Sequence, residues 1–209
     1  MPSPAYWTAH PPADYTGPRI ALIHGFLVGR HMERHLLTWL RSAGYADTTL
    51  YSNHQPVSSI AADMQQAAEA GRPLVLIGYS QGGFQVVKVA RRLAKKGINV
   101  DLMISMAAGG AGRLYPPQIG FQVRRIPGNV QRYLNYFAIG DNTGTDPVYR
   151  LNLAWPESVS THLENIAYPP EAGVDHFGIS RCLPPERVAP AVQTQFLQRL
   201  LRELSELND

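Results

Sequence analysis

The chain has 209 residues, of which 44% are hydrophobic and 17% are charged, and its formal net charge is +3. This balance is typical of a globular domain with a sizeable core and excludes an intrinsically disordered chain. The one cysteine, Cys182, excludes an internal disulfide, and the sequence has no C-x-x-C, H-E-x-x-H or P-loop pattern. We therefore expect no metal and no cofactor.

Charge and hydropathy also bear on partners and location. The basic residues are scattered and accompany no recognised nucleic-acid-binding module, so we expect no nucleic-acid partner. No basic start followed by an apolar run marks a secretory signal, and no apolar run is long enough to span a bilayer. These patterns predict a cytoplasmic protein without a membrane span, and they leave the oligomeric state open.

Strand and helix patterns alternate along the chain after a proline-rich, irregular lead-in over residues 1–18. Short apolar runs predict strands at 19–25, 47–51, 72–79, 100–108, 133–139 and 162–168. Runs with helical periodicity predict helices at 32–45, 57–71, 81–97 and 185–207. This alternation predicts a three-layer α/β fold over residues 1–209, with a minimal, mostly parallel sheet of about six strands and helices on both faces. The Gly- and Pro-rich segment 109–132 interrupts the rhythm and is a possible short cap loop.

A single serine stands where the third predicted strand meets a helix, in the order Gly78-Tyr79-Ser80-Gln81-Gly82. This G-x-S-x-G pattern, between a strand and a helix, is typical of a nucleophile presented on a sharp, strained turn. We expect Gly78 and Gly82 to be glycine because side chains there would collide with the neighbouring helix and strand. The helix points its free N–H groups at the serine, so the N–H of Gln81 is a candidate oxyanion donor.

Three stretches together make the sequence resemble the α/β-hydrolase family, in particular small lidless serine esterases and lipases. They are GYSQGG (78–83), ALIHGFLVGR (21–30) and VDHFGIS (174–180), and they follow the chain order of that family. The resemblance implies a Ser-His-Asp triad with Ser80 as the nucleophile. It also implies that the N–H of Phe26, after His24-Gly25, is the second oxyanion donor. We expect His24 to order this loop.

The resemblance and the predicted topology suggest the remaining site residues. Leu27 and Tyr79 are expected to contact the substrate. Of seven histidines, only His176 lies in the loop after the last predicted strand, at the sheet edge where Ser80 emerges, and we expect it to be the general base.

The triad acid is left between two residues. In the family it follows the penultimate strand, here 133–139, and this loop offers Asp141 and Asp146. Asp141 is favoured because it comes directly after the strand, and Asp146 remains the alternative. Asp175 is discounted, since neighbours in an extended loop point apart.

These residues predict a serine hydrolase that cleaves carboxylic esters through an acyl-serine intermediate, with a small-molecule acyl ester as substrate. Hydrolysis of acyl thioesters is the alternative within the same chemistry. A hydrolase fold that has lost catalysis and serves as a binding module is the alternative from another class.

Overall fold

The computed structural model describes residues 4–207, without the side chain of Pro117. Its centre is a six-stranded sheet in which every neighbouring pair is parallel. The strands are β1 (Arg19–His24), β2 (Thr48–Ser52), β3 (Leu74–Tyr79), β4 (Val100–Met106), β6 (Val130–Ala138) and β8 (His162–Tyr168), in the spatial order β2-β1-β3-β4-β6-β8. The predicted sheet is thereby confirmed, and β3, which precedes Ser80, lies inside it.

Helices cover both faces of this sheet. One face packs against α1, helical over 29–42 with a π-helical middle turn at Glu33–Leu37, and against α4, helical over 190–206. The other face packs against α2 (Val57–Glu69) and α3 (Gln81–Ala94). The two faces form separate apolar clusters, which is why the strands read as nearly unbroken apolar runs. No helix within residues 4–207 is long and apolar enough to cross a membrane.

Two helix starts differ from the sequence-based expectation. Helix α1 begins at Gly29 rather than at residue 32, so only four residues connect it to β1. Helix α4 begins at Pro190 rather than at residue 185, because Pro185–Arg187 forms a separate 3-10 turn and Pro190 occupies the first turn of the helix. The apolar residues of α4 that face the sheet are buried, as is Val188 just before the helix; those in the helix are Val192, Phe196, Leu200 and Leu204.

The segment after β4, the candidate cap loop, contains short regular elements. It forms 3-10 turns at Gly110–Leu114 and Pro116–Gln118, and then strand β5 (Arg125–Ile126), which pairs with β7 (Trp155–Pro156) in a second, two-stranded sheet. The predicted lead-in is largely irregular where the structure describes it, with one 3-10 turn at Ala5–Trp7; residues 1–3 lie outside the described residues.

Candidate active site

Ser80 has the backbone strain that a nucleophile turn predicts. Its φ of 54° and ψ of −122° lie in a region that residues with a side chain rarely adopt. The conformation is held on two sides, since the Ser80 N–H donates to Met106 O at 2.8 Å and the Gly83 N–H donates to Ser80 O at 2.9 Å. Ser80 thus connects β3 to the first turn of α3 at the carboxyl edge of the sheet.

The glycines around Ser80 are required by close backbone approach. A Cβ at Gly78 would lie 2.4 Å from the carbonyl oxygen of Gly82, and a Cβ at Gly82 would lie 1.8 Å from that of Ile23 in β1. Gly83 is equally restricted, because its Cβ would lie 2.4 Å from the Cβ of Ala108. Helix α3 can therefore pack against β1 and β3 only without these side chains.

The loop after β1 passes close to the serine. A Cβ on Gly25 would lie 2.8 Å from Ser80 Cβ and 3.0 Å from Gln81 N, so the loop backbone runs directly past both groups. The Phe26 N–H donates no hydrogen bond to any other residue of 4–207. Gln81 is the first residue of α3, where N–H groups have no intrahelical acceptor. The candidate donor Gln81 N therefore lies beside the loop that carries the other candidate, Phe26 N.

His24 braces this loop, as expected. Its Nδ1–H donates to the carbonyl oxygen of Gly25 at 2.6 Å, and its ring packs edge-on against Trp7 with 5.2 Å between ring centroids. Burial lowers the pKa of His24, so the ring is neutral at neutral pH.

His176 and Asp141, in the loops after β8 and β6, are hydrogen-bonded to each other. His176 Nδ1–H donates to Asp141 Oδ2 at 2.7 Å. The other oxygen of Asp141 accepts from the backbone amides of Thr143 at 3.0 Å and Gly144 at 3.2 Å, and the Asp141 side chain is 4% exposed. With Nδ1 protonated, Nε2 of the neutral ring is free to accept a proton.

Asp146, the alternative acid, bonds to arginine and asparagine side chains. Its Oδ2 accepts from Arg113 Nε at 3.0 Å and from the buried guanidinium of Arg124, and its backbone N–H donates to Asn152. Asp146 thus braces the segment after β4 against the loop after β6. Of the two carboxylates that the sequence left open, Asp141 is the one that contacts His176.

The side chain of Tyr79, an expected substrate contact, contacts the loop that carries His176. The Tyr79 side chain is fully buried, and its hydroxyl donates to the backbone oxygen of His176 at 2.7 Å. Burial raises the pKa of Tyr79, which keeps the hydroxyl protonated as a donor. Tyr79 therefore fixes the backbone of the loop after β8 that carries His176, which we call the histidine loop. Its place before Ser80 indicated proximity to the site, but its partner is 97 residues away in sequence.

A second set of contacts beside the histidine loop was not anticipated from the sequence. His31 of α1 lies with its Nε2 at 3.0 Å from Ser180 Oγ, and its ring packs against Phe177 and Tyr79. His31 and Ser180 are separated by most of the chain, so only the packing of α1 beside this loop brings them together.

Comparison with known proteins supports the fold. No family model matches the sequence, and no curated protein sequence matches it. Among solved structures, RedJ with a polyethylene glycol molecule in its active site is 13% identical, with a TM-score of 0.54, over 96% of this chain and 100% of that chain. A hydrolase described as YdeN-like, from Pectobacterium atrosepticum, is 14% identical, with a TM-score of 0.54, over 91% and 92% of the two chains.

The RedJ thioesterase of the prodiginine pathway in Streptomyces coelicolor is also similar, at 12% identity and a TM-score of 0.52, over 98% of both chains. At such low identity these likenesses concern the fold. They confirm the predicted α/β-hydrolase architecture for this chain.

Proposed function

We propose that this protein is a serine hydrolase that cleaves carboxylic esters, with Ser80 as nucleophile, His176 as general base and Asp141 as the acid that orients His176. One observation carries most weight: a serine in a strained turn and a hydrogen-bonded histidine–carboxylate pair lie at the same edge of the sheet. Strained backbone is retained where the surrounding structure enforces it, and it is frequent at active sites.

In the proposed reaction, Ser80 Oγ attacks the ester carbonyl while its proton passes to His176 Nε2. The carbonyl oxygen becomes an oxyanion, to which the amides of Phe26 and Gln81 donate. The bond to the leaving alkoxide then breaks, and the alkoxide takes the proton from Nε2. Water repeats the sequence on the acyl-serine, giving its proton to Nε2 and releasing the carboxylic acid and Ser80.

Labelling with a fluorophosphonate probe tests the nucleophile. We expect the wild-type chain to be labelled at Ser80, and Ser80→Ala to be unlabelled and to lose up to about 10⁶ in kcat on p-nitrophenyl esters. A non-catalytic binding module would stay unlabelled in both forms. Turnover by Ser80→Ala within tenfold of the wild type would refute the assignment.

Acyl thioesters are the second candidate substrate, because the same steps cleave a thioester and because RedJ, of similar fold, is a thioesterase. Comparing kcat/KM for p-nitrophenyl butyrate and butyryl thioesters separates the two. We also propose a cytoplasmic location, on composition alone, which fractionation of cells that express the chain would test.

A further inference from the structure

Large apolar side chains are exposed on one side of the candidate active site. Leu27 is fully exposed, at a φ of 55°, and Leu114 and Ile119 are 78% and 72% exposed. Between them the rings of Phe26 and Tyr115 meet edge to face, with 4.5 Å between centroids. We call these five residues, Phe26, Leu27, Leu114, Tyr115 and Ile119, the apolar platform. Such a cluster next to a reactive centre marks a surface that a ligand covers.

The platform is anchored to the site by buried polar contacts. Gln81 Nε2 donates to Gly112 O at 2.6 Å, Gln118 Nε2 donates to Gln81 Oε1 at 3.1 Å, and Lys88 Nζ donates to Gln118 Oε1 at 2.8 Å. Gln81 and Gln118 are both buried. Because Gln81 also offers the candidate oxyanion amide, the segment that carries Leu114 and Ile119 has a fixed position relative to the reacting carbon.

The order of the strands determines on which side of Ser80 the platform lies. Ser80 follows β3, Phe26 follows β1 on one side of it, and His176 follows β8 on the other. In the proposed reaction the leaving group must lie near His176 to receive its proton, and the oxyanion must lie at the amides of Phe26 and Gln81. The acyl chain is therefore directed away from His176, towards the side where the platform lies.

We propose that the platform binds the acyl chain of the substrate and selects esters of flexible chains of several carbons over acetate esters. This inference rests on the proposed function. Covering exposed apolar side chains with a hydrocarbon chain is favourable, and a longer chain covers more of them. An open surface, unlike a closed pocket, places no sharp upper limit on chain length.

The first test compares kcat/KM for p-nitrophenyl octanoate and p-nitrophenyl acetate. We expect Leu27→Asn and Leu114→Ser to lower the ratio of the two values about tenfold, since each methylene removed from water is worth roughly a fourfold change. Asparagine is tolerated at positive φ, so Leu27→Asn introduces no backbone strain. Val159→Ser is the matched control, because Val159 is as exposed as Leu27 but lies in the loop before β8. It should leave the ratio unchanged.

The second test needs no catalysis. We expect the fluorescent fatty acid 11-(dansylamino)undecanoic acid to bind the Ser80→Ala protein, and binding to weaken about tenfold on adding Leu27→Asn or Leu114→Ser. If the platform variants change neither the ester ratio nor this binding, the platform proposal is overturned. If wild type cleaves no ester but the fatty acid binds as expected, the platform stands and the proposed function fails. A dimer that dissociates on Leu114→Ser, with an unchanged ester ratio, would assign the platform to a second copy and also overturn the proposal.

Discussion

At the scale of single residues, the loop after β6 holds two carboxylates with different partners. Asp141 is oriented by two backbone amides and bonds to His176, whereas Asp146 bonds to two arginines. A carboxylate that orients a histidine affects catalysis, and a carboxylate that neutralises a buried guanidinium affects stability. Substitution of Asp141 should therefore mainly lower activity, and substitution of Asp146 should mainly lower stability.

We predict that Asp141→Asn lowers kcat by up to about 10⁴ with little change in stability, since an amide favours the wrong histidine tautomer. Asp146→Asn should instead lower the free energy of unfolding by about 3 kcal/mol, because the Arg124 guanidinium, whose side chain is 9% exposed, loses its carboxylate. Urea denaturation and ester turnover on both variants check this. A larger loss of kcat in Asp146→Asn than in Asp141→Asn would contradict the assignment of the acid.

We predict that Tyr79→Phe lowers kcat about tenfold with KM little changed, because His176 O loses its hydroxyl donor and small displacements of a catalytic group slow the chemical step. Tyr168→Phe is a matched control, since Tyr168 is also fully buried but its hydroxyl bonds to no residue of the described chain. A purely structural effect of losing a buried hydroxyl would appear in the melting temperatures of both variants. Equal turnover in the two variants would show that Tyr79 does not position His176.

The sequence offered two candidate acids because both follow β6, and it favoured Asp141 only because this residue comes directly after the strand. The distinction depends on Arg113, Arg124 and His176, which reach this loop only through the packing of three separate segments. The role of Tyr79 was missed for the same reason. A residue in a buried strand beside a serine indicates nearness to the site, but the direction of its side chain depends on tertiary structure.

At the scale of elements, the strands and helices were predicted well where short-range patterns determine them. All six strands of the main sheet were found, because apolar runs between turn residues determine them locally. Helix ends were predicted less accurately. Helix α4 starts at Pro190 because a 3-10 turn precedes it, and the several prolines in this part of the sequence did not indicate which one begins the helix. The pairing of β5 with β7 involves two residues on each strand, too few to give a periodic signal.

The contact between α3 and β1 gives an element-scale prediction. We expect Gly82→Ala to lower the free energy of unfolding by more than about 3 kcal/mol, since the new Cβ would lie 1.8 Å from Ile23 O and backbone on both sides must shift. Gly128→Ala is the control, because there a Cβ would meet only Ser158 Cβ, at 3.1 Å. Thermal and urea denaturation measure both. Equal stability of the two variants would contradict the close approach of helix and strand.

At the scale of the whole molecule, different helices cover the two faces of the sheet. The helices α2 and α3 cover one face, and α1 and α4 cover the face on which the histidine loop packs. On α1, His31 and His35 are one turn apart, with 4.4 Å between their ring centroids, and the packing of α1 places His31 beside the loop that carries His176. The stability of the fold is therefore coupled to the protonation of histidines outside the candidate triad.

His31 supplies the pH-dependent prediction. Burial, followed by the nearby His35 and Arg181, lowers the pKa of His31 to about 4. In the unfolded chain its pKa is about 6.5. Between these two values the unfolded state binds a proton that the folded state does not, so the free energy of unfolding must decrease as the pH falls from 6.5 towards 4. Burial lowers the pKa of His35 in the same direction, which steepens the decrease.

We expect His31→Gln to flatten this decrease in urea denaturation series between pH 4 and pH 7, since glutamine does not titrate and still offers a polar group to Ser180. The control is His162→Gln, because His162 is exposed at the first residue of β8, at the opposite edge of the sheet from Ser80. It should leave the slope close to that of the wild type. A wild-type stability that stays constant from pH 7 to pH 4, or a slope that His31→Gln leaves unaltered, would show that His31 does not remain neutral in the folded protein. The contact between α1 and the histidine loop would then have to tolerate a charged imidazole.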